Sequence, residues 1–150
     1  AGLSWDVVLK KRAGYKRAFH DFDLAKVAAM TDAELDQLRD DPGIVRNRLK
    51  IYSTRENAMA ILALKPEFDS FSSYLWGFVD GVPIVNLHAN IADIPATSPL
   101  SDRISKDMRK RDIRFVCSTI IYAYIQGVGL VDDHFSGCWR RAVSSPAAGV

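Results

Sequence analysis

The sequence is poor in cysteine. Cys117 and Cys138 are its only two, too few for the disulfide framework of a small secreted domain, so a reduced, cytoplasmic setting is expected. It lacks any run of eighteen apolar residues, and no membrane span is expected. The start, Ala1-Gly2-Leu3-Ser4-Trp5, has neither the basic opening nor the apolar stretch of a signal peptide. It also has no initiator Met, and a processed, trimmed or incomplete chain is expected. There is no Gly-x-Ser-x-Gly elbow, no Walker-type phosphate loop, no internal repeat and no convincing series of alternating strands. A strong charge imbalance is missing too. The net charge of +2 leaves nucleic acid open as a partner, because local patches matter more than the total.

What is present is an ordinary globular composition: 150 residues, 48% hydrophobic and 25% charged, enough chain for one domain with a core. Apolar spacing predicts a helix over 6–19, with Trp5, Val8, Leu9, Tyr15 and Phe19 near one face. A short helix is expected at 24–30. Thr31 and Glu34 have capping-box spacing and start a helix running to about Arg39. Asp40-Asp41-Pro42-Gly43 breaks it. A second helix follows from Val45 to Leu64, with apolar positions at Val45, Leu49, Tyr52, Ala58, Ile61 and Leu62, and Pro66 ends that segment. Residues 68–79 read as an aromatic core helix and 84–100 as a loop. A helix near 102–111 is capped by Ser101, and a buried helix over 114–127 is closed by Gly127 and Gly129. The expected fold is all-α, a helical bundle containing a helix-hairpin-helix motif. One domain covers 1–140, and 141–150 is a disordered tail.

The first informative cluster is the bend at Pro42-Gly43 and the basic helix after it. A helix start leaves backbone N–H groups unpaired and carries a positive dipole end, which suits a phosphate. Gly43 has no Cβ to keep a strand of DNA away. Arg46, Arg48, Lys50 and Arg55 then follow without an intervening acid before Arg55. Spacing alone does not separate this reading from a plain hairpin with a solvated face. Base readout by a recognition helix is disfavoured, because Ile44 and Val45 stand where polar readers are needed. A second basic run, Arg103, Lys106, Arg109, Lys110, Arg111 and Arg114, reads alone as a solvated helix face and together with the hairpin as a continued phosphate track.

The second cluster is His134 and Cys138. Four residues apart, they share a face if the segment is helical, and imidazole and thiolate both suit zinc. Two donors are not a site, and structural filler remains the plain alternative. Cys117, within the apolar 114–127 stretch, reads as a buried thiol. Asp132 and Asp133 are adjacent, so they do not form the facing carboxylate pair of sugar hydrolases. They read as caps or solvated loop residues, or Asp133 orients His134.

These segments, in order, resemble DNA-3-methyladenine glycosylase I of the helix-hairpin-helix glycosylases. The resemblance is carried by Ala1-Gly2-Leu3-Ser4-Trp5, Val7 to Arg12, Ala18 to Asp23, Gly43 to Ile51, Phe115-Val116, Tyr122 to Gln126, Gly129 to His134, and Cys138. It implies hydrolysis of the N-glycosidic bond of 3-methyladenine in alkylated double-stranded DNA by a monomer, leaving an abasic site without a lysine nucleophile. It implies that Trp5 stacks on the extruded base and that Gly2 and Leu3 wedge into the gap left behind. Gly43, Ile44, Val45, Arg46, Arg48 and Lys50 would then meet DNA phosphate. His134 and Cys138 would supply half of a structural zinc site. Tyr122 and Tyr124 back the pocket as packing.

The sequence departs from that family at several points. The family's front segment, with pocket tyrosines, a base-contacting glutamate and two zinc ligands, does not occur among residues 1–150. No catalytic residue is therefore assigned, and little base release is expected of residues 1–150 alone. Position 117 is Cys where Gly is usual, and Asp132 stands where Asn is usual. A second reading, from another class, is a DNA-binding module that kept the hairpin and lost catalysis.

Overall fold

The computed structural model describes residues 4–141, with the side chain of Trp5 outside that description. The helix expected over 6–19 is two helices, α1 (Trp5–Lys10) and α2 (Arg12–Ala18), interrupted at Lys11, where φ is −95° and ψ 3°. The Ser4 side chain accepts the Val7 N–H and caps α1. Phe19 is fully buried and Val8 and Tyr15 are partly buried, but Leu9 is exposed and does not join the predicted apolar face. Next, His20, Asp21 and Phe22 all have positive φ. This conformation is costly for side-chain-bearing residues, and it turns the chain into α3 (Leu24–Ala28), capped by Asp23.

Thr31 and Glu34 form the expected capping box at the start of α4 (Asp32–Gln37). The helix after the hairpin, α5 (Arg48–Phe68), starts three residues later than expected and runs four residues further. Asn47 explains the start, because it is extended and its side chain accepts the Lys50 N–H. Pro66 does not end α5. In the last turn its missing N–H costs one hydrogen bond, and the helix stops at Asp69, where φ is 62°. Leu49, expected among the apolar core positions, is 68% exposed.

The 68–79 stretch is shorter than predicted: α6 (Phe71–Trp76), then a 3-10 turn at Gly77–Val79. Within the expected loop, Ile84–Val85 (β1) pairs in parallel with Val131–Asp132 (β2). Two-residue strands leave no alternation to read. The helix α7 (Pro99–Lys110) begins ahead of Ser101. Ser98 is its cap, accepting the Ser101 N–H at 3.1 Å, and Pro99 takes the first helical position, where proline is preferred. Ser101 itself is buried against Ser118, Oγ to Oγ 2.8 Å. The last helix, α8 (Ser118–Gly127), starts four residues later than expected, with Cys117 at its N-cap and exposed rather than buried in the helix.

The helices and the two-residue sheet thus give an all-α fold, divided into two compact units: Ala1–Phe71 with Asp107–Val116, and Ser72–Lys106 with Cys117–Val150. The first unit has a core of Phe19, Val27, Met30, Leu35, Ile44, Ile51 and Ala58. Burying one such Ile or Phe stabilises by about 1.5–3 kcal/mol. Among the described residues no helix is long and apolar enough to cross a membrane.

Candidate nucleic-acid interface and His-Cys turn

The hairpin joins α4 to α5 through residues 38–47. Its outward N–H groups are not those that spacing suggested. The Gly43 N–H is taken by the Asp41 carboxylate at 2.6 Å, the Ile44 N–H leans on the Asp41 carbonyl at 3.4 Å, and the Val45 N–H donates to the Tyr15 hydroxyl at 3.3 Å. The Ile44 side chain is 1% exposed and belongs to the core. Gly43 turns its open side inward: a Cβ there would meet Asp41 and Arg17, and the facing Gly14 would place a Cβ 2.0 Å from the Gly43 carbonyl oxygen.

The open donors lie a few residues further on. Arg46, Arg48 and Leu49 have no acceptor for their N–H among the described residues, and all three are exposed. The first turn of α5 contains no acid. Arg46 forms no ion pair among the described residues, and Arg48 lies 4.7 Å above the Tyr52 ring. Lys50 sits 5.9 Å from the Phe115 ring. The result is a seat of N–H dipoles and guanidinium charge at one helix start, suited to a phosphate oxygen.

Arg55, counted with these cations from the sequence, is not among them. It donates to the Met30 carbonyl at 2.9 Å and pairs with Asp32 at 2.7 Å, which ties α5 to the start of α4 and the residue before its cap. The second basic run is likewise partly spent. Arg111 grips Glu67 through two hydrogen bonds of 2.7 and 2.8 Å and reaches Asp107 at 2.9 Å. Arg114 pairs with Glu56 at 2.8 Å. Arg103 donates to the Phe78 carbonyl at 2.8 Å. The hydrogen bond from Arg111 holds the Glu67 carboxyl below its ordinary pKa. Lys106, Arg109 and Lys110 are exposed and form no ion pair among the described residues, so an unbroken track of open cations does not form.

In the second unit, His134 and Cys138 lie on a turn rather than a helix. They meet nevertheless, with the Cys138 Sγ 3.5 Å from the His134 Nδ1. Two ligands of one tetrahedral zinc, at about 2.3 Å for sulfur and about 2.05 Å for nitrogen, stand about 3.6 Å apart, so the pair has the spacing of a tetrahedral edge. No group of three or more His, Cys, Asp or Glu side chains suited to a metal occurs among the described residues.

The turn is pinned from the β1 segment. The Ser136 N–H donates to the His88 carbonyl at 2.9 Å, and Arg141, the last described residue, donates to the His134 carbonyl at 2.6 Å and the Asn86 carbonyl at 3.3 Å. Asp132 accepts the His134 N–H at 3.0 Å. Asp133 does not orient His134 but turns inward as a hub. It is 6% exposed and accepts from Asn86 at 2.7 Å, His88 Nε2 at 2.9 Å, Gln126 at 2.7 Å and the Tyr122 hydroxyl. Burial pushes its carboxyl up, but the four donors outweigh that and leave its pKa below the ordinary value, while burial and Asp133 push the Tyr122 hydroxyl up. Tyr122, expected as packing, is buried and also polar-linked.

Several of these residues escaped the sequence reading. By sequence Tyr15 belongs only to an apolar face, and nothing in spacing links it to Val45. Lys11 donates to the Pro42 carbonyl at 2.5 Å, and the donors to Asp133 come from positions up to 47 residues away. Asn47 was findable as a cap residue ahead of an apolar helix. The expected wedge, Gly2 and Leu3, lies outside the described residues, as does the tail beyond Arg141.

Comparison with known proteins bears on what these sites do. The family model described as methyladenine glycosylase matches residues 1–141. Over 138 residues the chain is 43% identical to DNA-3-methyladenine glycosylase 1 of Escherichia coli, covering 92% of this chain and 74% of that protein. It is 41% identical to the DNA-3-methyladenine glycosylase of Haemophilus influenzae, covering 92% and 75%. A crystal structure of 3-methyladenine DNA glycosylase I superposes with a TM-score of 0.87 at 43% identity, covering 92% of this chain and 76% of that one. The Staphylococcus aureus enzyme, whose structure concerns recognition of 3-methyladenine, gives 0.87 at 33% identity, covering 92% and 73%.

Proposed function

The chain belongs to the methyladenine glycosylase family, and on that premise we propose how its residues serve the family's chemistry. It is a DNA repair hydrolase that releases 3-methyladenine from alkylated DNA and leaves an abasic site. A methylated cationic purine is already a good leaving group. Water adds at the sugar carbon and gives up a proton to solvent as the base departs neutral with the bonding electrons, so the protein's work is extrusion, holding and admission of water rather than strong acid catalysis.

The hairpin grips the sugar-phosphate strand of double-stranded DNA. The observation that carries this is the exposed start of α5, where Arg46, Arg48 and Leu49 keep their N–H groups open beside guanidinium charge. Of the assigned hairpin residues, Arg46, Arg48 and Lys50 meet phosphate, while Gly43, Ile44 and Val45 shape the bend, with their own N–H groups turned to Asp41 and Tyr15. Trp5, at the start of α1, stacks on the extruded base, and Gly2 and Leu3 enter the gap it leaves. The protein acts as a cytoplasmic monomer.

The experiment is base release from methylated duplex by the full-length protein, with Trp5→Ala beside it. Loss of one base–aromatic stack weakens binding of free 3-methyladenine by about 1–3 kcal/mol. Duplex binding without base release by the wild type would favour the non-catalytic module instead. An unchanged affinity in Trp5→Ala would take Trp5 out of the site.

His134 and Cys138 fit a structural zinc, and the reading rests on their 3.5 Å approach. When bound, the ion supplies cross-linking and no chemistry at the base. Removing the metal with a chelator lowers the thermal midpoint of the wild type, and Cys138→Ser abolishes that response. A wild type that purifies without zinc and ignores the chelator would leave the pair a plain contact.

A further inference from the structure

We propose that α2 is the spacer that sets the hairpin against the start of α1, and that Tyr15 is its positioning residue for DNA. This inference rests on the hairpin reading above.

Three independent contacts run from one short stretch, residues 11–15, to the bend. The Lys11 ammonium donates to the Pro42 carbonyl at 2.5 Å. Gly14, buried, lies against Gly43 so closely that no side chain fits between them. The Tyr15 hydroxyl accepts the Val45 N–H at 3.3 Å. The Tyr15 ring is half-buried and stacked near Phe19, centroids 6.4 Å apart with planes 16° from parallel, so the hydroxyl is held from a fixed base. Phe19 and Ile44 in turn share one core.

The position of the Tyr15 bond in the chain gives it consequence. Val45 is the last residue before the open N–H groups at Arg46, Arg48 and Leu49. Tethering its N–H fixes the peptide plane from which that row begins. It also occupies the one N–H of the bend that lacks a local acceptor, since Gly43 and Ile44 are served by Asp41. α1 and α2 are separated by Lys11 alone, so the helix that holds the hairpin continues directly into the helix that Trp5 begins. Phosphate grip and base site are thereby kept at a set offset, which is how a contact remote from the reacting bond serves it.

The test measures three quantities in the full-length protein: affinity for an undamaged duplex across a salt series, affinity for free 3-methyladenine, and the thermal midpoint. Tyr15→Phe keeps the ring and removes only the hydroxyl. Its duplex affinity falls about 3–10-fold, the fold-change of one lost hydrogen bond, with the slope of affinity against salt unchanged because no phosphate contact is deleted. Affinity for the free base stays at the wild-type value. Lys11→Met, which removes a second tie from outside the core, moves duplex affinity in the same direction, and the double variant moves it further. A Tyr15→Phe protein with wild-type duplex affinity overturns the proposal, and so does one that loses duplex and free-base binding together. Arg46→Gln with Arg48→Gln is the control for the underlying reading. If that pair leaves duplex affinity untouched, the hairpin is not the phosphate seat. If the pair weakens binding and Tyr15→Phe does not, only the spacer role has failed.

Discussion

The hairpin and the hub around Asp133 use polar groups in opposite ways. At the hub a buried carboxylate collects hydrogen bonds from Asn86, His88, Gln126 and Tyr122, side chains of two separate segments, and neither of its oxygens is left over. At the hairpin the chain satisfies Gly43, Ile44 and Val45 internally and then leaves Arg46, Arg48 and Leu49 open. Three arginines of the second basic run stand on the side of the hub, since Arg103, Arg111 and Arg114 are engaged by carboxylates or carbonyls. A positive or polar residue is read for function only after its partners are counted. One whose bonds close within the chain holds the fold, and one whose bonds stay open is available to a ligand.

The sharpest way to break this contrast is at the hub. Asp133→Asn keeps the shape but turns one acceptor oxygen into an amide donor, which then faces other donors in a buried site. Unfolding free energy is expected to fall by about 2–4 kcal/mol, the range for breaking a buried hydrogen-bonded charge. Urea denaturation checks it, and the salt dependence of duplex binding, measured where the variant is folded, is expected to stay as in the wild type. A variant of full stability with altered duplex binding would place Asp133 among the ligand-facing groups and dissolve the distinction.

The two regions also differ in how much of them the sequence discloses. The capping box at Thr31 and Glu34, the bend at Pro42-Gly43 and the basic start of α5 are local, and residue types within a turn or two identify them. The meeting of His134 and Cys138 is local as well, though a turn rather than a helix brings them together. Partnerships at long separation were not legible. Tyr15 reaches Val45 across 30 residues and His88 reaches Asp133 across 45, and neither leaves a period or spacing to detect. The sequence therefore shows where charge is concentrated but not whether it is free. This is why Arg55, Arg103, Arg111 and Arg114 read as open cations. The same limit explains Pro66 and Pro99, whose effects on α5 and α7 depend on which turn of the helix receives them.

An intermediate effect is expected at Arg111. It spans Glu67 and Asp107 and lies 4.9 Å from the Phe68 ring. Its partners are partly solvated, so screening limits what the pairs contribute. Arg111→Met keeps the stem against Phe68 and removes the fork. The thermal midpoint is expected to drop by about 2–4 °C, with duplex affinity and its salt slope unchanged. A shallower salt slope in this variant would mean that Arg111 leaves its carboxylates for phosphate when DNA binds, and the second basic run would have to be counted with the hairpin.

The smallest effect on stability belongs to the hairpin, where binding carries the whole signal. Arg46→Gln removes an exposed cation with no ion pair among the described residues, so stability is expected to stay within about 0.5 kcal/mol of wild type. If its charge meets one phosphate, the logarithmic slope of duplex affinity against salt falls in magnitude by about 0.9. Arg48→Gln gives a similar change in slope but differs in a way that tests the structure itself. Its guanidinium rests on the Tyr52 ring at 4.7 Å, a contact worth about 0.5–1 kcal/mol at an exposed site, so this variant alone of the two also loses a little stability. Equal stabilities with equal slopes would mean that the Arg48 stack contributes nothing. A stability loss at Arg46 without a change of slope would reverse the contrast, making the hairpin a holding element like the hub.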